Sequence, residues 1–482
     1  MQKLTVVNDS PSMLLSRLYQ KWSGYWPEKC EQLPQSGSDR RYYRLGHQQT
    51  TAIGAFNTDR SENLAFTTFS RHFLGQGLPV PTVLAEDTNQ RIYLLTDLGD
   101  VTFYSWLTSI RERDGFSSEI IRRYEMVVEQ LPLFQVKGGD GLDFSVCYPR
   151  AAFDSRSMHW DLNYFKYYFL KLAHIPFDEQ KLEDDFNRFS QMLLQADGQY
   201  FLYRDFQSRN IMIHDDRLWF IDYQGGRRGA LPYDLASLLY DAKADIPEEV
   251  RLHLLEHYLD KLGTLIPIDR IDFKKQFYGF VLIRILQALG AYGFRGFYEQ
   301  KNHFLLSIPY ALGNLQNLLA AGLLPEGLPE LYSILNHIVN KQELMEYGKK
   351  HTNLTVSIWS FSYMKGIPAD PTGNGGGFVF DCRGLPNPGR IDTLKAYTGN
   401  DTPVIGYLEQ QEVVSEFAAG TQVLVGRTIS NYLMRGFNHL MVSYGCTGGR
   451  HRSVYMANQM KTYIEKNFGV EVTLHHREQL LP

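Results

Sequence analysis

One segment constrains this chain more than any other: Leu202-Tyr203-Arg204-Asp205-Phe206-Gln207-Ser208-Arg209-Asn210, followed by Ile221-Asp222-Tyr223. It supplies a carboxylate, an amide five residues on, and a second carboxylate behind the short hydrophobic run Leu218-Trp219-Phe220-Ile221. Phosphoryl transfer from ATP needs those groups in that order. One carboxylate orients or deprotonates an acceptor hydroxyl, while an Asn and a second Asp hold the magnesium that bridges the phosphates. The pattern assigns Asp205 as the catalytic base and Asn210 and Asp222 as ligands of Mg2+, an ion that prefers hard oxygen donors. An ordinary polar surface loop also supplies a lone D-x-x-x-x-N; the strand that returns Asp222 argues against that reading.

The surrounding pattern agrees. Tyr42-Tyr43-Arg44-Leu45 and Ile92-Tyr93-Leu94-Leu95 read as strands, and Ser61 to Phe73 has helical spacing. From Thr102 to about Ala321 helical patterns dominate, broken only by the loop and strand around Asp205 and Asp222. A small mixed lobe followed by a helical one is a kinase-like plan. Gln35-Ser36-Gly37-Ser38-Asp39-Arg40-Arg41 is a small-residue turn entering a strand. Its backbone N–H groups at Ser36, Gly37 and Ser38 can reach phosphate oxygens, with Arg40 or Arg41 adding charge; a plain hairpin turn is the competing reading. Leu95-Thr96-Asp97-Leu98-Gly99 reads as the hinge between lobes, where Thr96 and Leu98 offer backbone groups to an adenine edge. Asp234, in Leu231-Pro232-Tyr233-Asp234, is expected to brace the catalytic loop rather than react.

Residues 30–320 resemble the aminoglycoside phosphotransferase family of small-molecule kinases. Within it they are most similar to the AmgK group, anomeric kinases of N-acetylmuramate and N-acetylglucosamine in cell-wall recycling. The resemblance rests on Asp39-Arg40-Arg41-Tyr42-Tyr43-Arg44, Glu62-Asn63, Leu94 to Gly99, Arg204 to Met212, Ile221 to Gln224, Tyr233-Asp234 and Arg284. It implies the base and magnesium roles already given to Asp205, Asn210 and Asp222, and sugar contacts from Gln224 and Arg284. Two departures stand out. The strand Thr51-Ala52-Ile53-Gly54-Ala55-Phe56 lacks the lysine that most kinases aim at the ATP phosphates, so the arginines near Arg41 are expected to compensate. Gly225-Gly226-Arg227-Arg228 replaces a segment where the group tends to carry an acidic residue.

Leu328 to Met345 reads as one further amphipathic helix, and Gly348 to Asn353 as a linker. Beyond it the texture changes to alternating strands (Leu354 to Ile358, Phe378 to Phe380, His439 to Ser443) and helices, including Val454 to Phe468, which predicts a small α/β domain with a largely parallel sheet. Ser443-Tyr444-Gly445-Cys446-Thr447-Gly448-Gly449-Arg450-His451-Arg452-Ser453 joins a strand end to a helix start through a glycine-rich turn, an anion-binding arrangement with Arg450 and Arg452 adding charge. Cys446 to Arg452 also fits C-x5-R, the signature of cysteine phosphatases. Residues 354–480 are more similar to the C-terminal domain of RapZ, through Phe361, Gly366-Ile367-Pro368, Phe380-Asp381-Cys382-Arg383-Gly384-Leu385-Pro386-Asn387-Pro388, Thr398-Gly399 and Gly445 to Val454. The resemblance implies sensing of glucosamine-6-phosphate through Asp381, Arg383, Cys446, Thr447, Gly448, Gly449, Arg450, His451, Arg452 and Ser453. RapZ's own P-loop domain has no counterpart here, since GxxxxGK[ST] is absent. The tail His475-His476-Arg477 does not by itself make an RNA-binding surface.

Composition narrows the classes further. The 482 residues exceed one ordinary core, and 44% hydrophobic with 21% charged residues is the balance of a globular enzyme. A formal net charge of −4 argues against wholesale nucleic-acid binding. Four scattered cysteines without a CxxC pair, no signal-like N-terminus and no span-length apolar stretch predict a cytoplasmic protein without a membrane segment. The expected whole is a multidomain α/β and α+β chain. Residues 1–98 form a kinase N-lobe, 99–325 a helical C-lobe, 326–353 a helix and linker, and 354–482 a sugar-phosphate-binding domain. The expected activity is ATP-dependent phosphorylation of a sugar hydroxyl. An aminoglycoside kinase, a C-terminal phosphatase and a regulatory or RNA-adaptor binding protein stay open as alternatives.

Overall fold

The structure, a computed structural model, describes residues 10–34, 40–299, 301–347, 354–373, 376–435 and 437–479. The chain divides into two compact units, Met1–Phe294 with Tyr310–Lys341, and Arg295–Pro309 with Gln342–Pro482.

The first unit opens with α1 (Pro11–Ser23), started by the Ser10 hydroxyl, which accepts from the Met13 N–H, and by Pro11 in the first turn. Then come β1 (Lys29–Gln32), β2 (Arg41–His47), β3 (Thr50–Phe56), α2 (Arg60–Gly75), β4 (Val83–Asp87) and β5 (Ile92–Leu95). The strands form one antiparallel sheet of order β1-β2-β3-β5-β4. Helix α1 packs on it: Leu15 and Leu45 fill the space over Gly54, where a Cβ would come within 2.8 Å of both.

The helical lobe follows: α3 (Phe103–Asp114), α4 (Ser118–Pro132), α5 (Ser155–Phe165), α6 (Glu179–Leu193), β6 (Tyr200–Leu202), β7 (Ile211–His214), β8 (Arg217–Phe220), β9 (Arg227–Gly229), α7 (Pro232–Leu239), α8 (Glu248–Gly263), α9 (Arg270–Tyr292), α10 (Ile308–Ala320) and α11 (Pro329–Asn340). Two short antiparallel ladders, β6 with β9 and β7 with β8, carry the loop that holds Asp205 and the turn that holds Asp222. This is the two-lobed protein-kinase-like arrangement. The stretch Arg270–Tyr298 is long and apolar enough to cross a membrane, contrary to the sequence expectation. Two-thirds (67%) of its most apolar window is buried inside the protein, which makes it the central helix of this lobe's core. The helix expected over Leu328 to Met345 is two: α11 stops at Lys341, which leaves the helical region at ψ 100°, and α12 (Gln342–Met345) resumes after it.

The second unit is built on β10 (Thr355–Ser362), β11 (Gly377–Asp381), β12 (His439–Cys446) and β13 (Glu471–His476), all parallel, in the order β11-β12-β10-β13. Helices α13 (Thr402–Glu409), α14 (Glu412–Arg435) and α15 (Arg452–Asn467) complete it. Val356, Ile358, Val442, Val425, Met460 and Ile464 are fully buried in one core. The expected linker at 348–353 lies outside the described residues.

Candidate active site

Asp234, at the start of α7, is fully buried and accepts from the backbone N–H groups of Tyr203 at 2.7 Å and Arg204 at 2.9 Å. It therefore fixes the loop one residue ahead of Asp205. Burial pushes its carboxyl up to about 7. The loop is strained where it matters: Arg204 sits at φ 82° and Asp222 at φ 68°, a region non-glycine residues seldom adopt. Tyr203 ties the two strained points together, its hydroxyl donating to the Ile221 carbonyl at 2.6 Å. The aromatic packing behind it is continuous: Tyr203 meets Tyr223, Phe134 and Phe206 edge-on, and Tyr223 stacks on Phe66 while bonding to the Ser70 hydroxyl at 2.6 Å.

Asn210 donates through Nδ2 to the Asp205 carbonyl at 2.9 Å and to Asp222 Oδ2 at 3.3 Å, while Gln224 Nε2 donates to Asp222 Oδ1 at 2.7 Å. The structure thus brings the three sequence-expected residues together. Burial, and the neighbouring charge of Asp205, push the Asp222 carboxyl up from its usual value. The donor types fit Mg2+: Asp222 has carboxylate oxygens, and Asn210, whose amide hydrogens are spent on the Asp205 carbonyl and Asp222, keeps its side-chain oxygen as a hard donor. No group of three or more His, Cys, Asp or Glu side chains converges among the described residues.

Above this cluster, β3 has no lysine, and a different cation takes the interior position. Arg40 is 3% exposed, with Nη2 2.9 Å from Glu62 Oε1 and Nη1 donating to the Tyr42 hydroxyl at 3.2 Å. Glu62 sits in the first turn of α2 and is also held by Asn57 Nδ2 at 2.6 Å. Arg41, the arginine singled out in the sequence, is exposed on β2 with its guanidinium over the Phe56 ring. Ser36, Gly37 and Ser38 lie outside the described residues. At the hinge, the Thr96 N–H donates to the Thr82 carbonyl at 3.1 Å and Leu98 is buried. Arg44 clamps the hinge by pairing with Asp97 at 2.8 Å and Asp100 at 2.9 Å.

On the other side of Asp205 lie three arginines. Arg204 makes a two-pronged pair with Asp161 of α5 (2.8 and 2.7 Å) between the rings of Phe153 and Tyr233. Arg284 of α9, 5% exposed, donates to the Tyr233 hydroxyl at 3.1 Å and to Gln287 Oε1 at 2.9 Å. Arg227 of β9, 7% exposed, donates only to backbone carbonyls of Gly225 and Tyr148. Burial, with the nearby charge of Arg204, lowers its pKa. Among the described residues, neither Arg284 nor Arg227 pairs with a carboxylate. The sequence pointed to Arg284 but treated Arg227 only as a departure. The signal available for it was its place two residues beyond Gly225, on the strand paired with β6.

In the second unit, β12 runs into the turn at Cys446 and α15 starts at Arg452. Gly449 sits at φ 67°, with no room for a side chain against Glu478 and the Ser362 N–H. Thr447, Gly448 and Arg450 are exposed at the apex, with His451 half-buried beside them. Burial, then the charge of Arg450, lowers the His451 pKa. Asp381 and Arg383 are exposed and paired at 2.6 Å, Arg383 lying over the Tyr363 ring. The geometry corrects two expectations for this loop. Arg452 does not point into the turn: it is buried, its Nη1 donating to the carbonyls of Arg383 and Leu385 at 2.9 Å each. Cys446 is also buried, its Sγ 3.2 Å from the Ser453 hydroxyl. Both residues of the C-x5-R pattern are thus held inside the unit rather than displayed at its surface.

Residues 29–268 match the phosphotransferase enzyme family, and residues 354–480 match the RapZ C-terminal domain. A nucleotide-binding protein of Clostridium acetobutylicum is 36% identical over 164 residues, covering 31% of this chain and 54% of that protein. One of Clostridium perfringens is 42% identical over 127 residues, covering 26% of this chain and 41% of that one. The chain thus spans about half the length of the curated relatives it matches. Among solved structures, choline kinase from Cryptosporidium parvum aligns at TM-score 0.46 and 12% identity, over 67% of this chain and 99% of that one. Choline kinase LicA from Streptococcus pneumoniae aligns at TM-score 0.38 and 14% identity, over 62% and 99%.

Proposed function

We propose that this chain, which joins a phosphotransferase-family domain to a RapZ C-terminal domain, is an ATP-dependent kinase that phosphorylates the anomeric hydroxyl of N-acetylmuramate or N-acetylglucosamine. Asp205 aims the acceptor hydroxyl and takes its proton, while Asn210 and Asp222 hold Mg2+. The bound ion neutralises charge on the ATP phosphates. Arg40, kept in place by Glu62, adds positive charge on the nucleotide side in place of the absent strand lysine. The Arg44 clamp sets the hinge, where the Thr96 carbonyl, its N–H being held by Thr82, and the Leu98 backbone are the groups offered to the adenine.

The observation that carries the reading of the acceptor is that Arg227 and Arg284 are both buried, feel the charge of Asp205, and hydrogen-bond to no carboxylate among the described residues. A cationic acceptor such as choline or an aminoglycoside would meet these guanidinium groups unfavourably. A buried cation gains most from an anion brought by the ligand. N-acetylmuramate carries a carboxylate and is the preferred acceptor; neutral N-acetylglucosamine is second. Turnover of a panel of N-acetylmuramate, N-acetylglucosamine, choline and an aminoglycoside with Mg-ATP tests this. Activity on the cationic acceptors with none on the amino sugars would refute it.

The second unit binds an amino-sugar phosphate such as glucosamine-6-phosphate at the turn of Thr447, Gly448, Arg450 and His451, with Arg383 adjacent. The exposed amides and the start of α15 supply the phosphate contacts. Calorimetry with glucosamine-6-phosphate, on the parent chain and on Arg450→Ala, tests the site. Equal binding by both would remove the turn from it.

A further inference from the structure

Helix α2 and the β4–β5 hairpin enclose a cavity of about 200 Å³ that shares no residue with the site around Asp205. Arg60, Asn63, Leu64 and Thr67, spaced as one face of α2, line one wall, and Glu86 and Arg91 of the hairpin line the other. Neither Arg60 nor Arg91 pairs with a carboxylate among the described residues. Arg91 holds its place at φ 61°, a turn conformation that glycine adopts at less cost. Asn63 is 8% exposed, and its Oδ1 has no hydrogen-bond partner among the described residues. Glu86 is met on one side only: Arg71 lies 2.8 Å from Oε1 and answers its charge, while the buried Oε2 accepts from none of them. Buried acceptors without donors are costly, and a bound hydroxyl relieves that cost. Two guanidinium groups with no counter-charge favour an anion, phosphate above all. The volume falls short of the ~300–1,000 Å³ that drug-sized molecules fill, so the occupant is a small metabolite.

We propose that this cavity is a regulatory site for a small phosphorylated polyol, of the size of a monosaccharide phosphate. Its phosphate lies between Arg60 and Arg91, and its hydroxyls donate to Asn63 Oδ1 and Glu86 Oε2. Both walls of the cavity are tied to the nucleotide side through one buried residue, Asn57. Asn63 Nδ2 donates to the Asn57 carbonyl at 3.0 Å, and the Asn57 N–H donates to the Arg91 carbonyl at 3.2 Å. Asn57 Nδ2 in turn holds Glu62 Oε2 at 2.6 Å, and Glu62 holds Arg40. A ligand that joins α2 to the hairpin therefore steadies Asn57, keeps Glu62 on Arg40, and raises the affinity for ATP. That last step rests on the nucleotide-side role proposed above for Arg40; binding in the cavity does not.

Hydrogen exchange of the full chain with and without glucose 6-phosphate tests the site. Saturation should slow exchange of the amides at 60–67 and 86–93. Arg60→Ser with Arg91→Gly should weaken binding about tenfold or more, by removing both phosphate contacts. Leu64→Trp closes the cavity without touching its charges, and should abolish the protection with an unchanged circular dichroism spectrum. Glucose 6-phosphate should tighten a non-hydrolysable ATP analogue about fivefold, and the analogue should tighten glucose 6-phosphate by the same factor. No protection in the two segments, or equal protection in Leu64→Trp, overturns the site. Inorganic phosphate that binds there as tightly as glucose 6-phosphate overturns the assignment of a polyol. Protection with no change in affinity for the analogue overturns the regulatory role. A chain that binds no analogue at all removes that role together with the kinase reading, while the exchange data still decide the binding site.

Discussion

Arg40 Nη2 lies 2.9 Å from Glu62 Oε1, a pair closed inside a lobe whose strand β3 carries no lysine. The charge that a lysine would bring from the middle of the sheet comes instead from the residue just before β2. The ion pair ties α2 to the start of β2, which the proposed function places on the nucleotide side.

Removing the carboxylate should expose that coupling. In Glu62→Gln, Arg40 stays buried without a counter-charge. Complete loss of a buried partner costs about 3–5 kcal/mol. Glu62 is 27% exposed, so the smaller end of that range, further reduced by water, applies here. Thermal denaturation should show the loss, and the KM for ATP should rise more than kcat falls. An unchanged KM for ATP would detach the pair from nucleotide binding.

Asp205→Asn keeps the shape of the loop, because Asp234 holds Tyr203 and Arg204 rather than Asp205 itself. The expected result is a fall in kcat of about 10²–10⁴-fold with ATP affinity nearly intact. Retained activity would take Asp205 out of proton transfer.

Arg284→Gln tests the acceptor side. Arg284 donates to Tyr233 and Gln287 and, among the described residues, hydrogen-bonds to no carboxylate, while it feels the charge of Asp205. The KM for N-acetylmuramate should rise about tenfold or more while that for ATP holds, since a hydrogen bond to a charged group is worth about 1.5–3 kcal/mol. An equal rise in KM for neutral N-acetylglucosamine would point to a packing role instead.

The stability of the first unit should depend on pH through Asp234. Its carboxyl is pushed up to about 7 by burial, against about 3.9 in an unfolded chain. Between those values the folded state holds the proton and the unfolded state does not. Stability therefore falls as pH rises through that window, by an amount on the order of 4 kcal/mol. Asp234→Asn cannot titrate and also loses one of two acceptors for the loop N–H groups. Melting temperatures should show the parent chain well ahead at pH 5 and the gap narrowing towards pH 8. A constant gap would mean that Asp234 is ionised throughout.

The grouping of Asp205, Asn210 and Asp222 was legible because their spacing is local: one loop and one strand pair bring them together. The parallel sheet was legible for a similar reason, since β10, β11 and β12 are short apolar runs separated by helical ones. Relations across long stretches of chain were not. Arg204 with Asp161, Arg40 with Glu62, and Arg227 beside the acceptor side depend on packing that no spacing encodes. The same limit misplaced Arg452. Its position in a C-x5-R pattern suggested a ligand-facing guanidinium, while the carbonyls of Arg383 and Leu385, distant in sequence, claim it.

Gly449→Ala should separate structure from ligand binding in the second unit. Gly449 occupies φ 67°, and an added methyl would run into the Glu478 side chain and come within 2.8 Å of the Ser362 N–H. Glu478 cannot retreat easily, being 4% exposed and paired with Lys365 at 2.7 Å and Arg477 at 3.0 Å. Backbone strain and displacement of this pair should together cost about 2–4 kcal/mol. The second unit should then unfold at a lower temperature than in the parent chain, while turnover in the first unit continues below that temperature. Gly448→Ala, where a Cβ meets nothing within 4 Å, is the control and should leave stability unchanged. If both variants melt like the parent chain, the turn is not rigidly held, and the anion site loses the fixed geometry on which its reading depends.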